Sequence, residues 1–335
     1  MTDQPRLTGP GLAKALARVA ALLGGCVLLA LGVGSVELEF FDGGLSEAHR
    51  LIFSQVRLPR VVLAAVVGGA LAMAGAALQP ALRNPLASPD IIGVSGGAAL
   101  AAVATLALVP WAAASPALVP AVAFAGAGFS SALVYRLALV RGRLDPYTQI
   151  LVGVIFNTFA AALILLINAT VDASRSQSIV FWLMGGIAIH SWAVIALVGL
   201  LAAIGAVVLV AESRSLNLMV LGEEAAEHLG VDLGKTRRRV FVASSLLVGA
   251  VVSLSGVITF VGLIVPHLLR RLLGSDNRLL VPASLLGGAA FLVLCDAFAR
   301  RVLAPSELPV GAITALVGGP FFIYLLRRVP RSKGL

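Results

Sequence analysis

The stretch RVFVASSLLVGAVVSLSGVITFVGLIVPHLLR, residues 239–270, decides how this chain is organised. It is apolar along its length and has a basic residue at each end, Arg239 and Arg270. A helix needs about 20 apolar residues to cross a bilayer, so the stretch is too long for one ordinary span and too short for two. Basic residues collect on the cytoplasmic side of membrane proteins. Placing both arginines there requires an even number of crossings between them. One leg, about 257–268, must then be short or broken, and Gly256, Gly262 and Pro266 are expected to break it. Such backbone survives at membrane depth only where protein or a water-lined cavity covers it. The other reading is a single long tilted helix, which strands one basic cluster outside.

Runs of spanning length continue outward at about 11–34, 59–79, 93–110, 115–140, 147–169, 192–211, 279–303 and 309–328. With the two legs of 240–269 they make ten crossings. The expected fold class is all-α, a polytopic membrane protein of about ten transmembrane helices forming one domain over 1–335. Arg6, Lys14 and Arg18 precede the first run and place the N-terminus inside. Alternation then puts 19 of the 25 Lys and Arg residues inside, with both termini. The outer loops are expected near 35–58 and 170–191, and the main inner loop at 212–236.

Composition agrees. Of 335 residues, 59% are hydrophobic and 12% charged, about half the charge a soluble domain carries. Mean hydropathy is +1.00. The 35 glycines suit membrane helices, which pack closely through small residues. A net charge of +9 raises nucleic-acid binding, but the basic residues lie in short clusters between apolar runs, so no nucleic-acid partner is expected. Cys26 and Cys295 both sit in apolar stretches and imply neither a disulfide framework nor a metal site. Leu23-Gly24-Gly25-Cys26 faintly resembles a lipoprotein cleavage box. The apolar run continues to Gly34, however, and reads as a retained first helix.

Few residues carry chemistry. Arg57 and Arg60, with Arg300 and Arg301, fall on the outer face against the positive-inside bias. They read either as helix-end side chains snorkelling to lipid headgroups or as a docking surface for an acidic partner. The segment 78–98 holds Pro85 and Pro89, which forbid helix, and Asp90 or Ser88 is placed to cap the next helix. Residues 218–230, with Leu221, Gly222, Glu223, Glu224, Ala225, Leu229 and Gly230, suit a short surface helix stopped by glycine. That helix is either a solvated loop element or a contact for a cytoplasmic partner.

Gly230-Val231-Asp232-Leu233-Gly234-Lys235-Thr236 has three residues between its glycines, where a phosphate-binding loop has four. ATP binding by this chain is therefore rejected, and any hydrolysis belongs to another subunit. Asp296 and Glu307 lie near the outer end of the ninth span, so the midplane carboxylates of ion-coupled carriers are missing. Gln149, Asn157, Thr158 and Asn168 are the polar residues of the fifth span, explained by interhelical hydrogen bonds or by a wet pathway. The four histidines are dispersed, and neither a metal site nor a nucleophile–base constellation follows. The chain reads as no enzyme, and no cofactor is expected.

Several segments together resemble the iron-chelate (siderophore)/cobalamin permease family of ABC importers, over about residues 50–328. They are Arg57-Leu58-Pro59-Arg60, Leu78-Gln79 with Arg83-Asn84-Pro85-Leu86-Ala87, Gly93-Val94-Ser95, Leu221-Gly222-Glu223-Glu224-Ala225 with Leu229-Gly230, and Gly256 with 260–267. Residues 307–311 and 318–322 complete the series. The resemblance implies a type II importer permease in the bacterial inner membrane. Its implied partners are a second permease subunit, identical or paralogous, two cytoplasmic ATPase subunits and an extracytoplasmic binding protein. By the same resemblance Arg57, Arg60 and Arg300 face glutamates of the binding protein, and about 216–230 is a coupling helix seated on the ATPase. The turn at Pro146 and Tyr147 falls at an inner gate, and the fifth helix, with Gln149, Asn157 and Thr158, lines the pathway. The implied cargo is a ferric-siderophore-type chelate, favoured by Ser88-Pro89-Asp90-Ile91-Ile92-Gly93, with cobalamin or haem as alternatives. The rival classes are an ion-coupled carrier and a membrane enzyme.

Overall fold

The computed structural model describes residues 9–32, 47–112, 115–304 and 306–328. Much of the expected outer loop 35–58, and the side chains of Arg6, Arg327, Arg328, Arg331 and Lys333, lie outside that set.

Among the described residues, ten helices of 13 residues or more make up the body. They are α1 (Gly9–Gly32), α3 (Leu58–Ala81), α4 (Val94–Leu108), α5 (Leu118–Leu137), α6 (Pro146–Thr170), α8 (Trp192–Met219), α10 (Leu233–Ser255), α11 (Val261–Leu273), α12 (Asn277–Arg301) and α13 (Val310–Arg328). Three short helices accompany them: α2 (Glu47–Ile52), α7 (Ala173–Leu183) and α9 (Glu223–His228). Seven of the long helices have the length and apolarity to cross a bilayer. Among them α3, α10 and α12 are largely buried, whereas α1 and α6 leave much surface bare.

The buried trio packs through small residues. A methyl group on Gly68 of α3 would overlap the carbonyl of Gly288 in α12, and one on Gly75 would overlap that of Gly262 in α11. Bare backbones in contact gain dispersion energy where no hydrophobic drive exists between helices in lipid.

The deciding stretch resolves as two legs. Helix α10 ends at Ser255, extended backbone follows, and α11 begins at Val261. Gly256 (φ +65°) and Phe260 (φ +68°) bracket the break. Pro266 was expected to break the leg as well, but it lies inside α11. Gly262 is also helical, and its smallness serves the contact with α3. The extended piece is tied down at Gly256, which closely abuts the Trp182 carbonyl. Alongside it the Gly186 amide donates to the Ser255 carbonyl (2.8 Å), and the Gly311 amide donates to the Gly185 carbonyl (3.1 Å). Three turns distant in sequence thus meet backbone to backbone.

Four other expectations need correction. Helix α8 runs to Met219, well beyond 211, because its polar end is satisfied: buried Glu212 accepts from Thr236 Oγ1 (3.1 Å) and Arg239 Nη1 (2.8 Å). The loop near 170–191 contains helix α7, capped by Asp172. Pro89, expected with Pro85 to forbid helix, instead opens a short 3-10 turn over Pro89–Ile92 that lies against Gly262. Finally, Gly93 (φ +81°) starts α4, and Asp90 does not cap it but accepts from Ser95 Oγ (2.9 Å).

Candidate functional site: two ends of one helical body

Three arginines gather where α1 and α12 end and α3 begins. Arg60 grips Asp296 through Nε and Nη2 at 3.0–3.2 Å and reaches Glu307 Oε2 with Nη1 at 2.7 Å. Arg300 pairs with the other side of Asp296 (3.1 Å) and donates to the Ala30 carbonyl (3.2 Å). Arg57 donates to the Leu31 carbonyl (3.1 Å). These donors satisfy the last carbonyls of α1, which the helix cannot pair itself. Arg57 and Arg300 are only 4% and 3% exposed. The side chain of Arg60 is 12% exposed and that of Glu307 41%.

Snorkelling to lipid headgroups does not describe this cluster, because its guanidiniums turn inward. Its accessible members are Arg60 with Glu307, and Arg301, the residue after Arg300, is exposed. A cavity of about 470 Å³ adjoins them, walled by Trp182, His190 and Leu308. The sequence did not single out Asp296 and Glu307 as partners of these arginines. Their spacing, 236 and 247 residues from Arg60, hides the contact.

At the opposite end α9 projects from the body. Gly222 (φ +114°) turns the chain into it and Gly230 (φ +87°) turns it out. Ala226 is buried beneath, and Arg237 Nη2 holds Glu223 at 2.7 Å with Arg83 at 3.4 Å. The Arg237 hydrogen bond, then the Arg83 contact, holds the Glu223 carboxyl below its usual range. Helix α9 is shorter than the expected 218–230 because Leu218 and Met219 belong to α8. Its outer side is bare: Val220, Leu221 and Leu229 are exposed, as are Glu224 and Glu227, while Ala225 is half-buried.

The residues expected on a pathway divide. Tyr147 and Thr158 lie on the exposed side of α6, and Pro146 opens that helix behind the Asp145 cap. Gln149 is buried, and Asn157 donates inward to the Asp90 carbonyl (2.7 Å). Asn157 thus fastens α6 to its own chain, and Gln149 is buried with its Nε2 lacking a hydrogen-bond partner, so neither faces the open side.

Residues 21–328 match the model of the FecCD transport family. The chain belongs to the FecCD transport family. An uncharacterised ABC transporter permease of Bacillus subtilis, YvrB, is 43% identical over 284 residues, covering 84% of this chain and 80% of that one. The vitamin B12 import permease BtuC of Vibrio cholerae is 42% identical over 314 residues, 92% of each chain. A solved metal-chelate type ABC transporter in an inward-facing conformation is 33% identical, with a TM-score of 0.82 over 95% of this chain and all of that one. This FecCD protein is therefore a multi-pass membrane permease subunit of a type II ABC importer and not a catalytic enzyme. A permease of this kind works with an ATPase and a substrate-binding protein. Members of the family carry iron chelates, cobalamin or haem.

Proposed function

We propose that this permease takes a bulky metal chelate from a binding protein at the arginine end and releases it on the α9 side, which is cytosolic. Both termini then lie in the cytosol. The observation that carries this reading is α9, pinned on one face by Ala226 and Glu223 and bare on the other. In it Leu221, Gly222, Glu223, Glu224, Ala225, Leu229 and Gly230 seat on one of two ATPase subunits. Closure of those subunits around ATP pushes α9 and, through Arg237, the start of α10.

A second permease, identical or paralogous, covers the exposed faces of α6 and α13. The cargo passes between the two copies, and Tyr147 and Thr158 face that route. Nothing covalent happens to the cargo; the gain comes from switching between two global states that ATP biases. At the outer end the binding protein's carboxylates meet Arg60 and Arg301. Arg57 and Arg300 hold the rim in shape from beneath, so they support docking without touching the partner.

The cargo is proposed to be a ferric siderophore, on the strength of the 88–93 segment. Cobalamin is the second reading, favoured by 42% identity to the vitamin B12 permease of Vibrio cholerae against 36% to an iron-hydroxamate permease of Bacillus subtilis. Uptake into vesicles holding the assembled importer, with labelled ferric siderophore against labelled cobalamin, separates the two. Docking is tested by Arg301→Glu, which reverses an exposed charge. Weaker binding-protein affinity with intact ATPase assembly is expected, and unchanged affinity at low salt overturns the docking role.

A further inference from the structure

A trough runs along the outside of the body between α5 and α10, and its basic end includes Arg238, the residue after the Arg237 anchor of α9. Its volume is about 540 Å³ and its walls are mainly apolar. Small residues on α5 make it: Ala127, Gly128, Ser131 and Ala132 leave room where larger side chains would close onto α10. A methyl group on Gly128 would meet no atom within 4 Å. The two helices run antiparallel, with Phe124 and Gly249 deep in the bilayer region and Arg136 and Arg238 at the α9 end. Twelve residues of α5 separate Phe124 from Arg136, about 18 Å at 1.5 Å per residue.

Two further observations give the trough a chemical bias. Arg136 and Arg238 line the same end of it, both are exposed, and neither has a carboxylate within ion-pair distance among the described residues. Most neighbouring cations are engaged: Arg143 with Glu227, Lys235 with Asp232, Arg239 with Glu212. Deeper in the trough, Ser131 is 8% exposed and its Oγ has no hydrogen-bond partner. Ser245 Oγ, across from it on α10, is likewise buried and unpartnered. A buried hydroxyl without a partner costs free energy, so a ligand that accepts from it is favoured there.

We propose that this trough binds one anionic glycerophospholipid. The phosphate lies between Arg136 and Arg238, an ester carbonyl accepts from Ser131 about 7.5 Å further in, the rise of five helical residues, and an acyl chain follows the trough toward Phe124. The order of groups along the trough, cation then hydroxyl then apolar wall, matches the order of phosphate, ester and chain in such a lipid. Basic pockets between membrane helices at the interface select anionic headgroups in this way.

The test is lipid retention by the full-length chain, purified in detergent, exposed to equal amounts of phosphatidylglycerol and phosphatidylcholine, and weighed by native mass spectrometry. Wild-type protein should retain phosphatidylglycerol by about thirtyfold over phosphatidylcholine, the advantage two cationic contacts of about 1 kcal/mol each give. Arg136→Ala with Arg238→Ala should abolish that preference, and the paired lysine variants should restore it. Gly128→Phe fills the trough without meeting the protein's own Cβ-level neighbours and should remove retention of the bound lipid. Soluble glycerol phosphate should not compete. Equal retention of the two lipids by wild-type protein, unchanged retention in Gly128→Phe, or full competition by glycerol phosphate would each overturn the proposal.

Discussion

Replacing Asp296 with asparagine isolates the term that holds the arginine cluster together. The substitution keeps the volume and one oxygen but removes the charge that Arg60 and Arg300 share. Asp296 is 1% exposed, so no water takes over its role. Breaking a buried ion pair from one side costs about 3–5 kcal/mol, because the surviving charge stays buried. Arg60 keeps Glu307, which sets the expectation near 3 kcal/mol, at the lower end of that range. For a chain of this size about 2 °C of Tm accompanies each kcal/mol, giving a fall of roughly 6 °C. The comparison variant is Glu307→Gln. Its carboxylate is 41% exposed, and an ion pair with an exposed member contributes about 0–1 kcal/mol, so its Tm should fall by at most about 2 °C. Cys26 and Cys295 are free and buried, so a thiol-reactive dye reports unfolding of both variants during a thermal ramp. Equal shifts in the two variants, or a shift below about 2 °C in Asp296→Asn, would refute the view that Asp296 is the centre of the cluster.

Other perturbations bear on other parts of the molecule. Gly222→Leu places a side chain at φ +114°, a conformation costing about 1–3 kcal/mol for such a residue; ATP hydrolysis by the assembled importer should persist while vesicle uptake falls. Gly75→Ala drives a methyl group into the Gly262 carbonyl and should cost at least about 1–3 kcal/mol as overpacking, read as lost thermal stability. Asp276 caps α12 and is held at about 2, chiefly by its hydrogen bond to Arg278 and then by Asn217. A depressed carboxyl stabilises the fold above its unfolded value of 3.8 and loses that contribution as pH falls toward about 2. Asp276→Asn should therefore flatten the Tm-against-pH curve within that window and leave neutral pH less stable than wild type.

Which parts were legible follows from what each signal measures. Hydropathy runs gave eight of the long helices within a few residues at most ends, because lipid forces an uninterrupted apolar length. The same logic failed at α8. Glu212, Ser213 and Arg214 look like the start of a loop, yet Thr236 and Arg239 on α10 satisfy Glu212 and the helix continues. Loop 170–191 was expected only as a short outer connection, because α7, at 11 residues, is too brief to register as a span. The positive-inside rule gave the two-leg reading of 239–270. It could not tell which glycine or proline makes the break, since that depends on contacts with α3 and Trp182. At the site, the unusual outer arginines were visible in the sequence, but their burial was not. The carboxylates that neutralise Arg60 come from more than 200 residues away. The α9 segment was legible from its glycines and acidic residues, whereas Arg237 as its anchor was hidden among other bases.

The meeting of Gly185, Gly256 and Gly311 has a mechanical consequence. Side chains act as soft spacers: they rotate, and they absorb a displacement of an ångström or so before passing it on. Here the chains touch through amides and carbonyls, with no spacer between them. A tilt of α13 at this end therefore reaches the head of α11 and the tail of α7 undiminished. The three segments behave as one stiff hub, so this end of the body moves as a unit.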